Sequence, residues 1–342
     1  MVELKQQWRE MRRQQPMARA RDFARERGVT EAELVDAFCG DGTVRLAAEW
    51  PRILEALPSL GRVMALTRNE YAVHERKGSY HAPQFFGPMG QVVGEEIDLR
   101  LFPNQWKFGF AITEETPDGS RRSLQFFDRH GVAVHKVFLL PESDVSAFDN
   151  LVESFTHADQ TAALDIVRTQ TKPSAPENNI TVDASAFQAA WDGLQDTHDF
   201  FGLLRKFNLS RTLALRTARP DQASQVGVSS LSFMLHEVSA TQLPIMVFVG
   251  NDGVIQIHTG NVTKIVKQGP WINVLDEDFN LHVREDLIHE AWLVRKPTRD
   301  GVVTSLELFA ADGEQIALLF GKRKPGQAES EAWRALAGRF PQ

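Results

Sequence analysis

Four side chains in the second half of the sequence have types and neighbours that chemistry could use: His198, Arg211, Lys296 and Arg323. An imidazole offers a metal ligand or a proton carrier near neutral pH. Guanidinium and ammonium groups offer charged hydrogen bonds to carboxylates or phosphates. His198 lies in WDGLQDTHDFFGLLRKFNLSR, Trp191 to Arg211. Read as a helix, this stretch places Trp191, Leu194, Phe201 and Leu204 on one core-facing stripe, with His198 on the same stripe and Arg205, Lys206 and Arg211 close behind. In AWLVRKPT, strand alternation puts Trp292, Val294 and Lys296 on one face. A lysine at the end of an apolar strand face calls for an anion nearby, unless its stem lies along the sheet and its ammonium reaches water.

The elements that must position these groups belong to an ordinary globular chain. Of 342 residues, 42% are hydrophobic and 24% charged, which is enough to build cores, and the length suggests two domains. The net charge of −7 argues against general nucleic-acid binding. The single cysteine, Cys39, excludes an internal disulfide and any cysteine-based zinc or iron–sulfur site. The opening MVELKQQWREMRRQQ has no apolar core of a secretory signal, and no apolar run is long enough to span a bilayer. These features lead to the expectation of a cytoplasmic protein without membrane insertion.

The chain repeats itself. VMALTRNEYAVHERKG from Val63 aligns with IMVFVGNDGVIQIHTG from Ile245, an offset of 182 residues. At that offset Met64 meets Met246, Asn69 meets Asn251, Gly78 meets Gly260, Gly87-Pro88 meets Gly269-Pro270, Ser123-Leu124 meets Ser305-Leu306, and Phe138 meets Phe320. Each match is weak alone, but a register held across several loops is the mark of a duplication. Upstream, RERGVTEAEL resembles RKFNLSRTLAL at an offset of 180. The expected organisation is an N-terminal repeat at 1–168, a polar linker with two prolines at 169–185, and a C-terminal repeat at 186–342.

Each copy opens with helical patterns. ARDFARERG and TEAELVDAF read as short helices, the second with Thr30 and Glu33 spaced as a capping box. RVMALTR, YAVHER, KFGFAIT, SLQFFD and VAVHKVFLL read as strands, and Asp-Gly at 118–119 and 300–301 marks tight hairpins. SEAWRALAGRF reads as a terminal helix. Helices followed by strands predict an α+β fold: a tandem duplication of a domain with a large antiparallel sheet flanked by helices.

The two copies act as controls for each other. His198 corresponds to Ala18, Arg211 to Glu31, Lys296 to Glu114 and Arg323 to Pro141. At every one of these places the second copy is basic, or carries a ligand, where the first is acidic or neutral. A histidine beside an apolar surface, ringed by aromatics and cations, suits haem, which needs an axial nitrogen for iron, apolar walls, and cations for two propionates. The remaining histidines offer less. His130 and His135, or His74 and His81, fit no metal motif, and His258 in VIQIH reads as structural.

DAFCGDGT, Asp36 to Thr43, competes with this reading because it looks like the glycine-rich loop of S-adenosylmethionine-dependent methyltransferases. The preceding TEAELVDA carries a helix cap rather than a buried strand, however, and no alternating βα pattern follows. The alternative is a helix C-terminus with Gly40 or Gly42 in a left-handed turn.

With these motifs in hand, the sequence resembles the HemS/ChuS haem-utilisation family of Gram-negative bacteria over essentially its whole length. The resemblance rests on the duplication, on MALTRNEYAVHERKGSY (Met64 to Tyr80), on DLRLF (Asp98 to Phe102) and on DTHDFFGLLRKFNLSR (Asp196 to Arg211). It implies haem in a cleft between a sheet and helices of the C-terminal half, with His198 as the proximal iron ligand. It implies Arg211 and Lys296 near the propionates, Arg323 as a further basic pocket residue, and Phe248 as an aromatic wall. Arg100 and Phe102 match residues that reach the distal side in the family, where Arg100 could orient a ligand opposite the histidine. Phe320 departs from the pattern, since some members carry tyrosine there.

Known activities of the resembled family divide. Some members degrade haem with an external electron donor, and others carry it to a separate haem oxygenase; both take haem delivered by an inner-membrane transporter. The expected function is haem-oxygenase-like degradation that releases iron, with Arg100 and His198 as the catalytic pair. A non-catalytic carrier is the alternative.

Overall fold

Arg62–Arg68 and Ile245–Asn251 alternate buried with half-buried residues, as strands with one face in a core must. Val63, Ala65 and Thr67 are buried in the first, and Ile245, Val247 and Val249 in the second. The computed structural model describes residues 2–16, 18–116, 119–168, 182–324 and 326–342. Most of the expected linker at 169–185, and Asp118 of the first Asp-Gly pair, lie outside the described residues.

The fold is α+β, with two large antiparallel sheets and flanking helices. The chain divides into two compact units: Met1–Arg68, Glu75–Thr171 and Gly250–Gln256 form the first, and Asn69–His74, Lys172–Val249 and Ile257–Gln342 the second. In the first unit, Thr43–Arg45, Trp106–Thr116, Gly119–Asp128, Ala133–Leu139 and Arg62–Arg68 lie side by side in that order, all antiparallel. In the second unit, Ala223–Val226, Glu290–Thr298, Gly301–Phe309, Gln315–Gly321 and Ile245–Asn251 repeat the same order. The duplication read from scattered matches is therefore a duplication of topology. The Thr298–Gly301 hairpin carries the second Asp-Gly pair, and Gly301 adopts φ +109°, which only glycine tolerates well.

The helices also form where the sequence places them. Ala20–Glu26 and Glu31–Asp36 open the first copy, and the Thr30–Glu33 capping box closes in both directions, at 2.8 and 3.2 Å. Glu331–Ala337 is the terminal helix, anchored by buried Trp333, whose indole donates to the Thr304 carbonyl at 2.9 Å.

The stretch from Trp191 to Arg211 departs from the single-helix expectation. It contains the end of Ala184–Asp192, a turn that starts at Gly193, the helix Asp199–Phe207, and the start of Arg211–Thr217. Asn208 ends the middle helix in the left-handed conformation. The break resets the helical phase, so the buried residues are Phe200 and Leu203, whereas Phe201 is exposed. The three helices bury Phe187, Trp191, Phe200, Leu203 and Leu215 against Trp292, Val294 and Phe309 of the sheet.

DAFCGDGT leaves the C-terminus of the helix Glu31–Asp36, with Gly40 and Gly42 at φ +78° and +81°. A Cβ on Gly42 would lie 2.5 Å from the Thr113 carbonyl oxygen. Among the described residues no strand leads into the loop, so the setting a methyltransferase glycine loop requires is not there, and that alternative is withdrawn. His258 stacks on Phe279 at 3.7 Å, and buried His135 meets the Thr67 and Tyr80 hydroxyls at 2.9 and 2.6 Å, so both serve the core. No helix among the described residues is long and apolar enough to cross a membrane.

The matched asparagines of the repeat do the same work. Asn251 Nδ2 donates to the carbonyls of Arg68 and Val134 at 2.8 and 2.9 Å, while its Oδ1 accepts from the N–H groups of Gly253 and Val254. Asn69 Nδ2 donates to the Ile316 carbonyl at 2.9 Å, and its Oδ1 accepts from the N–H groups of Tyr71 and Ala72. Asn251→Ala strips partners from a carbonyl on buried Val134 and is expected to lower the unfolding free energy by about 1–3 kcal/mol in denaturant titration. An unchanged midpoint would contradict this account of the turn.

Candidate functional site

The second sheet presents one chemically rich face. The strand registers align Val294 and Lys296 with Ser305 and Val303, Trp292 with Glu307, Glu307 with Leu318, Ser305 with Phe320, and these with Phe248 and Met246. The expected grouping of Trp292, Val294 and Lys296 is present. Helices cover the end with Trp292 and Val294, and Met246, Phe248, Leu318 and Phe320 remain half-buried. Phe248 meets Phe320 edge-on at 5.2 Å. The result is an apolar strip that the second unit's own chain covers only in part.

At the covered end lies an ion cluster centred on Glu307, a residue the sequence reading did not select. Its carboxylate accepts from Arg211 Nε and Nη2 at 2.7 and 2.8 Å, from Lys296 Nζ at 2.7 Å, and from Ser305 Oγ at 3.2 Å. Lys296 Nζ also sits 4.5 Å from the Phe200 ring, with the Arg211 guanidinium 5.1 Å from the same ring and 5.8 Å from Phe201. Burial alone would raise the Glu307 pKa, but the two cations outweigh it and lower it to about 2. Burial lowers the Lys296 pKa to about 8, against the pull of Glu307. Two cations facing one carboxylate leave the cluster with one surplus positive charge.

This geometry corrects the argument from copy asymmetry. Arg211 and Lys296 do call for an anion, but the protein supplies most of it through Glu307. The first copy has cations of its own: Glu31, at the Arg211 position, pairs with Lys136 at 2.6 Å and with Arg68. Its sheet carries Gln125 at the Glu307 position, bonded to Ser123 Oγ at 3.1 Å. The acid comes from the helix in one copy and from the sheet in the other. A lone glutamate in the apolar run VVTSLELFA, matched by Gln125, was the available signal.

His198 is not on a buried stripe. It caps the helix Asp199–Phe207, and its side chain is 86% exposed. Nδ1 meets Asp196 Oδ1 at 2.6 Å, and the His198 backbone N–H donates to the same oxygen at 2.8 Å. Nε2 is therefore the ring atom left for a ligand. Phe201, one helical turn on and 56% exposed, offers an apolar ring on the same side. The Asp196 carboxyl is held below its ordinary pKa first by the backbone hydrogen bond from His198, with the Arg323 charge a smaller contribution. Arg323 Nη1 is buried with no hydrogen-bond partner among the described atoms.

Helix Asp199–Phe207 thus links His198, at its start, to Phe200 and Phe201 and through them to Arg211 and Lys296. Phe248 lies on the uncovered apolar strip. The remaining expected site residues, Arg100 and Phe102, belong to the first unit. Arg100 is paired with Asp98 and donates to the Leu99 carbonyl at 3.1 Å. Phe102 lines a cavity of about 200 Å³ with Pro88, Met89, Asn104, Gln105 and Asp252. An open imidazole nitrogen, an apolar strip and surplus positive charge suit a flat, apolar, metal-bearing anion.

Glu307→Gln removes the carboxylate that pairs buried Lys296 and largely covered Arg211, and is expected to cost about 3–5 kcal/mol of stability at pH 7. The folded pKa of Glu307 lies below its unfolded value, so its contribution is complete above the unfolded pKa and is lost as pH falls towards about 2. Denaturant unfolding from pH 7 down to about pH 3 should show a shallower acid loss in the variant than in the parent. Equal slopes would contradict the assignment.

Comparison with known proteins agrees with the duplicated architecture. The family model described as "Haemin-degrading HemS.ChuX domain" matches twice, at residues 28–155 and 208–340, and His198 precedes the second match. The hemin transport protein HmuS of Yersinia pestis is 43% identical over 338 residues, covering 98% of this chain and 97% of that protein. The crystal structure of holo-PhuS, a heme-binding protein from Pseudomonas aeruginosa, superposes with a TM-score of 0.95 at 48% identity, covering 99% of this chain and 98% of that one. ChuS, a heme degrading enzyme of Escherichia coli O157:H7, gives a TM-score of 0.93 at 38% identity, with 99% of both chains covered. On these matches, the chain belongs to the haemin-degrading HemS.ChuX domain family.

Proposed function

We propose that this protein binds haem on the sheet face of its second unit and degrades it with electrons from an external donor, releasing iron. The observation that carries the reading is His198: an exposed imidazole with Nδ1 engaged and Nε2 open, at the start of the helix whose Phe200 ring packs beside Lys296 and Arg211. His198 Nε2 would hold the iron. Phe201, Phe248 and Phe320 would face the porphyrin, and Arg323 with the Arg211–Lys296–Glu307 cluster would receive the carboxylates. The bound haem would supply the iron and its redox chemistry, and the chain would bind, orient and shield it. Support comes from the family description and from ChuS, named as a heme degrading enzyme. Arg100 and Phe102 take their distal roles from the resemblance alone.

The second reading is a carrier that passes haem to a separate haem oxygenase after receiving it from an inner-membrane transporter. The 86% exposure of the His198 side chain favours it, because an open ligand suits hand-over. The relative HmuS is named a hemin transport protein. Both readings place the protein in the cytoplasm.

Ascorbate added in air to the haem complex, with catalase present, separates the two readings. Loss of the Soret band with a tetrapyrrole product is the expected result. Bleaching abolished by catalase would leave the carrier. His198→Ala is expected to change the haem spectrum and weaken binding; an unchanged spectrum and affinity would remove the ligand assignment. Arg323→Ala tests pocket charge without touching Glu307, and is expected to weaken haem binding about tenfold while leaving thermal stability unchanged. Unaltered affinity would remove Arg323 from the pocket.

A further inference from the structure

Asp196 lies two residues before His198, and a single oxygen of its carboxylate engages that residue twice. Oδ1 accepts from the His198 backbone N–H at 2.8 Å and meets ring Nδ1 at 2.6 Å. The Asp196 N–H in turn donates to Asp199 Oδ2 at 3.1 Å. The carboxylate is thus held by the turn that starts the helix, through the His198 backbone N–H. The repeat adds an independent point: at the offset of 180 the first copy has Pro16 for Asp196 and Ala18 for His198, so the two residues are present or absent together.

A carboxylate on the far nitrogen of a metal-binding imidazole does two things. It keeps the proton on Nδ1, which presents the Nε2 lone pair, and its negative charge makes Nε2 a stronger electron donor. We infer that Asp196 is a positioning residue for His198, fixing its tautomer and ring orientation and strengthening its bond to the iron of bound haem. This rests on the reading of His198 as the axial ligand.

Resonance Raman spectroscopy of the ferrous, five-coordinate haem complex tests it through the iron–histidine stretching band. Asp196→Asn keeps an oxygen able to accept the backbone N–H and removes the charge. The expected result is a band at lower frequency, accompanied by a more positive iron midpoint potential and a near-native haem content. An unchanged band and potential in Asp196→Asn, while His198→Ala abolishes the band, would overturn the inference and reduce Asp196 to a backbone cap. A band that persists in His198→Ala would remove the ligand reading itself, and the inference with it. Asp196→Ala, which loses cap and charge together, should shift the band at least as far; a native band there would also overturn the inference.

Discussion

The second unit depends on a buried carboxylate held between two cations. Glu307 is fully buried on a strand, Lys296 is nearly so on the neighbouring strand, and Arg211 opens a helix. An isolated charge at any of these places would be prohibitively expensive, and satisfying all three demands that helix and sheet stand at one distance and one angle. Phe200 fills the space beside the cations, so the helix capped by His198 is set by the same contact. The ion cluster thus fixes the frame against which an imidazole at the helix start is aimed.

The duplication explains how such a frame could be specialised. Both units keep the same strand order, and both bury a carboxylate against cations where a helix meets the sheet. The polarity differs: Glu31 from the helix in one, Glu307 from the sheet in the other. The cluster is therefore a structural solution common to both copies. What distinguishes the second is the Asp196–His198 pair on the turn above it, absent from the first as Pro16 and Ala18.

Much of this was legible in the sequence. The strands announced themselves by alternation, as in RVMALTR, and the capping box at Thr30 and Glu33 fixed a helix start to the residue, because both signals are local. The candidate cations were found by comparing copies. Two things were not legible. Periodicity counted from Trp191 to Leu204 assumed a single helix, and the turn that begins at Gly193 destroys the phase, so His198 and Phe201 are exposed where burial was expected. Glu307 went unnoticed because pairing across strands is a tertiary fact: its cations lie 96 and 11 residues away. The apolar residues around it mark a strand, and nothing local reveals what its carboxylate meets.

In the proposed function, haem is held through His198 on the sheet face of the second unit. A crystal structure of the haem-loaded protein tests it most directly. The expected structure has iron bonded to His198 Nε2, with Asp196 still on Nδ1 and the porphyrin lying along Phe201, Phe248 and Phe320. Iron bonded to another side chain, or a porphyrin seated away from that strip, would contradict it.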